Sequence, residues 1–352
     1  MTYLYLPGLN GIRALAALMV LIAHIIQFQY WFGFGEPNWK IYGNASLGVT
    51  LFFVLSGYLI TYLLLREKIQ TEKIATQKFY VRRMLRIWPL YYVVLSISIF
   101  IIGSTALQCL PYYFFLLPNW AYAMMCTSAI IAPLWSVGVE EQFYLVWPLL
   151  VGATKKINWM LVLIIFIYFL IKLVGRLYGD KSINDFIALT RIDCMAIGGL
   201  GACWANSDRK YQSIIFDKIT QVVIWIIFLF SCLIHPLVLP SFILQEVYAI
   251  VFILLILNVS LNSKTFIWLD NRILNWIGKI SYGIYLWHML ILYVMSLTIN
   301  DILPNTISGM IFYFVSCILL VFCVASISYI YFESYFINLK RKFVVVVSHD
   351  SK

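Results

Sequence analysis

Residues 9–30 read LNGIRALAALMVLIAHIIQFQY, an apolar run interrupted by one guanidinium and one imidazole. From residue 12 to residue 30 it is long enough to cross the roughly 30 Å of a hydrocarbon core, which takes about 20 mostly apolar residues. Nine further stretches of the same kind follow, at approximately 46–65, 88–102, 134–152, 159–174, 186–206, 220–237, 239–257, 282–299 and 306–330. The stretch 110–122 is broken by Pro111 and Pro118 and reads as an interfacial or re-entrant piece.

Composition agrees with this count. The 352 residues are 63% hydrophobic and 11% charged, whereas a soluble domain carries about 25% charged residues. A water-facing globule, a disordered chain and an extracellular disulfide scaffold are all excluded by these figures. The expected fold is an all-α polytopic membrane helical bundle of about ten transmembrane helices. Residues 1–335 form one integral membrane domain and 336–352 a basic tail. No cleavable signal peptide is expected, so the first apolar stretch stays as a span.

The formal charge of +10 would suggest nucleic acid in a soluble protein. Here its distribution gives another reason. Nineteen of the 25 basic residues fall in segments on one side of a ten-span topology, within 66–86, 155–156, 209–218, 264–279 and 340–352. The opposite loops hold only Lys40, Arg176 and Lys181. The positive-inside rule therefore predicts that both termini are cytoplasmic, and no nucleic-acid partner is needed. Cys109 and Cys126 share an outer segment and could pair or stay as free thiols. None of the seven cysteines has metal-type spacing, and no metal is expected.

Ionisable residues within spans cost at least about 2.5–3.5 kcal/mol each and so point to function. Arg13 and His24 are eleven residues apart, about three helical turns, which sets both on one face roughly 16 Å apart along the axis. A slender molecule with phosphates at one end and a reactive group at the other fits that pair, and acyl-CoA has this shape. Arg13 would hold phosphate, and His24 would act as general base on an acceptor hydroxyl or carry the acyl group transiently. A snorkelling arginine and a packing histidine are the plain alternative.

Four other groups join them. Glu140 and Glu141 open the fourth span on the side of His24; adjacent helical residues point about 100° apart, so at most one faces a given site squarely. Such a carboxylate could orient the imidazole, or bind sugar hydroxyls with Gln142, Tyr144 and Trp135, or simply suit the helix dipole. Arg191 and Asp193 are either a structural ion pair or part of a substrate site. His288 is a helix-packing hydrogen-bonder or a proton relay. Arg82 and Arg86, four apart, could clamp the phosphates of a cytosolic donor or merely anchor the span. Ser56-Gly57 is a small pair suited to close helix approach rather than a nucleophile.

As an ordered set these motifs resemble the acyltransferase-3 family of integral membrane acyltransferases. The matching pieces are Leu9-Asn10-Gly11-Ile12-Arg13 with His24, Phe52-Phe53 through Ser56-Gly57-Tyr58, Arg82-Arg83 through Arg86 and Pro89, Trp135-Ser136 through Glu141-Gln142 and Tyr144, Arg191 with Asp193, and Ser281-Tyr282 through His288. The resemblance implies an O-acyltransferase, commonly using acetyl-CoA as donor substrate. Its acceptor would be a hydroxyl of a carbohydrate or glycolipid, such as lipopolysaccharide, in the bacterial cell envelope. Arg13 and His24 would be its functional core. The bacterial inner membrane is the expected location, and any second transfer step would need a separate partner or would not occur. A multi-span transporter or flippase for a glycan or lipid-linked substrate is the rival reading, although no paired interrupted segments recur in matching halves.

Overall fold

The structure, a computed structural model, describes residues 6–35, 45–103, 108–207, 212–233, 241–299, 304 and 306–345. Lys40, Arg209, Lys210, residues 234–240 and the last part of the basic tail lie outside the described residues. The α-helices in chain order are α1 (Leu9–Gln27), α2 (Ala45–Thr71), α3 (Thr76–Ile102), α4 (Leu110–Phe114), α5 (Pro118–Ala123), α6 (Trp135–Ala153), α7 (Ile157–Tyr178), α8 (Lys181–Leu189), α9 (Ile192–Ala205), α10 (Gln212–Ile215), α11 (Lys218–Leu233), α12 (Ser241–Leu261), α13 (Arg272–Ile299), α14 (Ile307–Ser328) and α15 (Ser334–Lys340). No strand occurs among the described residues.

Eight helical stretches are long and apolar enough to cross a membrane, and the protein is a multi-pass, all-α membrane bundle. The ten-span reading adds α6, which carries the Glu140-Glu141 pair, and α11, which has 16 described residues. Hydropathy locates the lipid-buried part of a helix, so helix ends differ from the span ends. The third span is the second half of α3, whose first turns contain the basic residues 78–86. The ninth begins ten residues earlier than the apolar run, at Arg272. The sixth, expected as one piece over 186–206, breaks at Thr190-Arg191 into α8 and α9, because Arg191 turns to bind the start of α2. The 110–122 piece forms α4 and α5, and Cys109 and Cys126 are joined by a disulfide around them.

α2 sits at the centre, against α1, α6, α9 and α12, while α1 also packs along α13 and α13 along α14. Gly57 makes the α2–α9 approach possible, since a Cβ there would strike the Met195 carbonyl. That is the close contact a Ser-Gly pair suits. Polar groups inside the bundle are matched across helices: Trp147 donates to Thr61 (2.8 Å), Tyr313 to the Ile25 carbonyl (2.7 Å), and Lys68 to the carbonyls of Val151 and Thr154 (2.8 Å each) at the end of α6.

An ion triad ties α7, α9 and α12. Lys172 Nζ lies 2.6 Å from Asp193 Oδ2 and 2.9 Å from Glu246 Oε1, with Lys172 and Asp193 only 7% and 0% exposed. Removing the cation leaves two carboxylates facing each other without water. We expect Lys172→Met to destabilise the bundle by about 3–5 kcal/mol, seen as a lower melting temperature in detergent. An unchanged melting temperature would mean the triad contributes nothing to the fold.

Candidate active site

Five helices line an open cavity whose empty space, its mouth to solvent included, is about 840 Å³. Helical periodicity explains which residues reach it. α2 presents Val49, Phe52, Ser56 and Ile60; α6 presents Ser136, Glu140 and Tyr144; α3 presents Arg83, Arg86 and Ile87; α13 presents Ser281, Tyr282 and Tyr285; and Arg13 closes it from α1. Three guanidiniums therefore share the wall with one carboxylate, which makes the space a site for anions.

The two arginines of α3 carry most of that argument. Arg83 lies 5.7 Å from the centres of both the Phe79 and Tyr144 rings, and its buried Nε meets no acceptor. Among the described residues neither Arg83 nor Arg86 donates a hydrogen bond to protein, and their N–H groups meet no protein acceptor. Arg13 is tethered, its Nη1 donating to Asn10 Oδ1 at 2.8 Å. Arg82, expected beside Arg86, turns away instead: it donates to the Phe343 carbonyl (2.8 Å) and pairs with Glu67 (3.4 Å), tying α2, α3 and the tail together. Arg83, three residues before Arg86 rather than four, takes the place on the cavity face.

The adjacent carboxylates divide as helical geometry requires. Glu140 faces the cavity and accepts from Ser56 (2.8 Å) and Tyr144 (3.2 Å). Glu141 accepts from Trp88 Nε1 (2.6 Å), outside the cavity wall, and its Oε1 is buried with no hydrogen-bond partner. Gln142 is committed to Asn119 (2.8 Å).

His24 does not line the cavity, and among the described residues no carboxylate hydrogen-bonds it, Glu140 and Glu141 included. Its partner is His288. Nδ1 of His24 lies 2.7 Å from Nε2 of His288, and the ring planes differ by 6° with centroids 4.9 Å apart. Nearly parallel planes cannot be separated by more than their closest atoms, and 2.7 Å is too short for stacking, so the rings are coplanar and meet edge to edge. That is the geometry of an N–H···N hydrogen bond.

The proton positions follow from the next contact. His288 Nδ1 lies 2.7 Å from the Tyr285 carbonyl, which can only accept, so Nδ1 carries the hydrogen. A neutral His288 then has a bare Nε2 that accepts from His24 Nδ1–H. This leaves His24 Nε2 as an unprotonated, basic nitrogen, on a ring that is half-buried. Tyr285 links this pair to the cavity it lines; its hydroxyl bonds Ser136 (2.6 Å) and the Pro133 carbonyl (2.9 Å).

Of the other expected substrate residues, Arg191, Trp135 and Asp193 are engaged within the protein. Arg191 spends its donors on Ala188, Ser46 and Thr50, with its guanidinium 5.4 Å from the Trp135 ring centre. Trp135 is thereby covered, at 9% exposure, and Asp193 belongs to the Lys172 triad. Among the described residues no three His, Cys, Asp or Glu side chains come together to hold a metal.

With this geometry in view the comparisons are decisive. The family model for the acyltransferase domain of the acyltransferase-3 type matches residues 6–329. The chain belongs to the acyltransferase-3 family. O-acetyltransferase OatA of Staphylococcus aureus, from strain NCTC 8325 / PS 47 and again from strain COL, is 30% identical over 367 residues, covering 94% of this chain and 57% of the relative. The chain thus spans just over half the length of these curated relatives. No solved structure matches it. The residues that sequence reasoning missed, Arg83, Ser56 and Tyr285, all lie inside or beside motifs that resemble the family. The signal for Arg83 was the three-residue face shared with Arg86, and Ser56 and Tyr285 lie four residues after Phe52 and Ser281, which line the same cavity.

Proposed function

We propose that this protein is a membrane O-acetyltransferase that moves the acetyl group of cytosolic acetyl-CoA to a hydroxyl of a carbohydrate or glycolipid of the cell envelope. The observation that carries the reading is the hydrogen-bond chain Tyr285–His288–His24, which leaves a bare imidazole nitrogen about three helical turns from Arg13. The donor's phosphates would meet Arg83, Arg86 and Arg13, and its slender arm would extend past Ser56 and Tyr285 toward His24.

In this mechanism His24 Nε2 takes the proton of the acceptor hydroxyl as its oxygen attacks the thioester carbon. The C–S bond breaks, the thiolate of coenzyme A leaves, and the imidazolium returns the proton to that sulfur. A positioned base of this kind contributes about 10²–10⁴-fold. Glu140, held by Ser56 and Tyr144, balances part of the arginine charge: Arg83 and Arg13 are the cations that act on it.

Both termini are placed by this proposal in the cytoplasm of a bacterium, and the chain in its cytoplasmic membrane. Two independent features support the orientation: the one-sided basic residues, and a disulfide in the segment opposite them, since disulfides persist on the oxidising side of a membrane. The test uses the full chain in proteoliposomes with labelled acetyl-CoA and a hydroxyl-bearing glycan. Label in an ester of the glycan is expected. Label lost only as free acetate, or glycan bound without transfer, would defeat the reading, and label retained on the protein after acid quenching would replace the direct route by an acetyl-histidine.

A further inference from the structure

α14 faces α13 with a stripe of buried residues at strict four-residue spacing: Gly309, Tyr313, Cys317, Val321 and Ala325. In a regular α-helix each four-residue step rotates the position by about 40°, so the stripe would drift off that face. Beyond Ala325, where further four-residue steps would carry the position still further round, residues Tyr329–Glu333 form a π-helical turn before α15 begins. The wider turn takes up the drift and returns Glu333, two steps beyond Ala325, to the interior, where it is 6% exposed. π-turns are held in helices at a cost and concentrate at functional sites. The residue this one turns inward is a carboxylate.

Glu333 lies against α13 at Gly283: a Cβ on Gly283 would sit 3.1 Å from Glu333 Oε1. The neighbouring Ser281 and Tyr282 line the cavity together with Arg86. Among the described residues one protein hydrogen bond holds the acid, from Ser328 Oγ to Oε1 at 3.2 Å. The π-turn and α15 also pack against α3, the helix of Arg86, and Arg86 is the cation that acts on the acid, yet among the described residues the two form no contact ion pair. The carboxylate therefore offsets the Arg86 charge through a poorly screened interior without using its N–H groups.

We infer that Glu333 is a positioning residue for Arg86, a counter-charge that holds the guanidinium at the cavity wall while leaving its donors for the phosphates of the acyl donor. The inference rests on the reading of the cavity as the donor site. It separates binding from chemistry, because Glu333 touches neither His24 nor His288. A glutamine at 333 keeps the shape and the Ser328 hydrogen bond and removes only the charge.

The experiment measures coenzyme A binding and steady-state transfer with the full chain in detergent or proteoliposomes. Glu333→Gln is expected to weaken coenzyme A binding and raise KM for acetyl-CoA about tenfold, with kcat within about twofold and an unchanged melting temperature. Glu333→Asp is expected to recover part of the loss. In an Arg86→Gln background the Glu333→Gln effect should vanish, the non-additivity expected of two groups that act as one. Unchanged binding in Glu333→Gln, or a full effect that persists without Arg86, would overturn the inference while leaving the donor site intact. A parent chain that does not bind coenzyme A would overturn the donor site itself, and this inference with it.

Discussion

Replacing His24 with alanine is expected to lower acetyl transfer by about 10³-fold while coenzyme A binding stays within about twofold of the parent. The first half follows from removing the base: the acceptor hydroxyl then loses its proton only to water, and a positioned general base is worth about 10²–10⁴-fold. The second half follows from geometry, since His24 is absent from the cavity that holds Arg83 and Arg86. A stability cost accompanies the change, because His288 Nε2 loses the donor at 2.7 Å, and an unsatisfied buried acceptor costs about 1–3 kcal/mol. Melting temperature and coenzyme A binding therefore have to be measured on the same preparation as the rate. Transfer that survives in a folded His24→Ala protein would remove His24 from the chemistry and leave the cavity as a binding site alone.

How much of this was legible in the sequence depends on distance along the chain. Apolar runs located the spans because lipid demands about twenty such residues in a row, and Gly57 announced a close helix crossing by its size. Local helical geometry carried equally well: Glu140 and Glu141 face different surroundings, as a 100° separation requires. The failures are of other kinds. The partner of His24 lies 264 residues away, and nothing in the spacing of either histidine names the other. Arg82 and Arg83 are neighbours with identical side chains, and only the position of Glu67 and of the tail decides which one turns from the cavity. Arg191 was open as a substrate ligand until its donors were counted against Ser46 and Thr50, residues of a helix some 140 positions earlier. The π-turn that brings Glu333 inward follows no hydropathy signal, since the apolar pattern of α14 continues into it.

The tautomer of His24 gives the other large effect. His288→Leu removes the acceptor for His24 Nδ1–H but leaves an apolar side chain in an apolar place. His24 is then free to carry its hydrogen on Nε2, which puts a proton where the acceptor hydroxyl needs a lone pair, and to rotate off the line that the Tyr285 carbonyl imposed through His288. Losing the group that fixes tautomer and orientation in a histidine-based site costs up to about 10⁴-fold, and we expect about 10²–10³-fold here, in kcat with little change in KM for the donor. His288→Gln separates this role from simple packing, because its side-chain oxygen can occupy the place of Nε2 and accept from His24 Nδ1–H. It should recover at least tenfold of the loss. Equal activity in the leucine and glutamine variants, measured at matched melting temperatures, would show that His288 only fills space and that the basic nitrogen of His24 is set by something else. The glutamine comparison also bears on the proton itself. A relay that passed the proton on from His24 through His288 would need a second titratable ring and would stay broken in His288→Gln, whereas a residue that only fixes the tautomer is replaced by any acceptor at the same point.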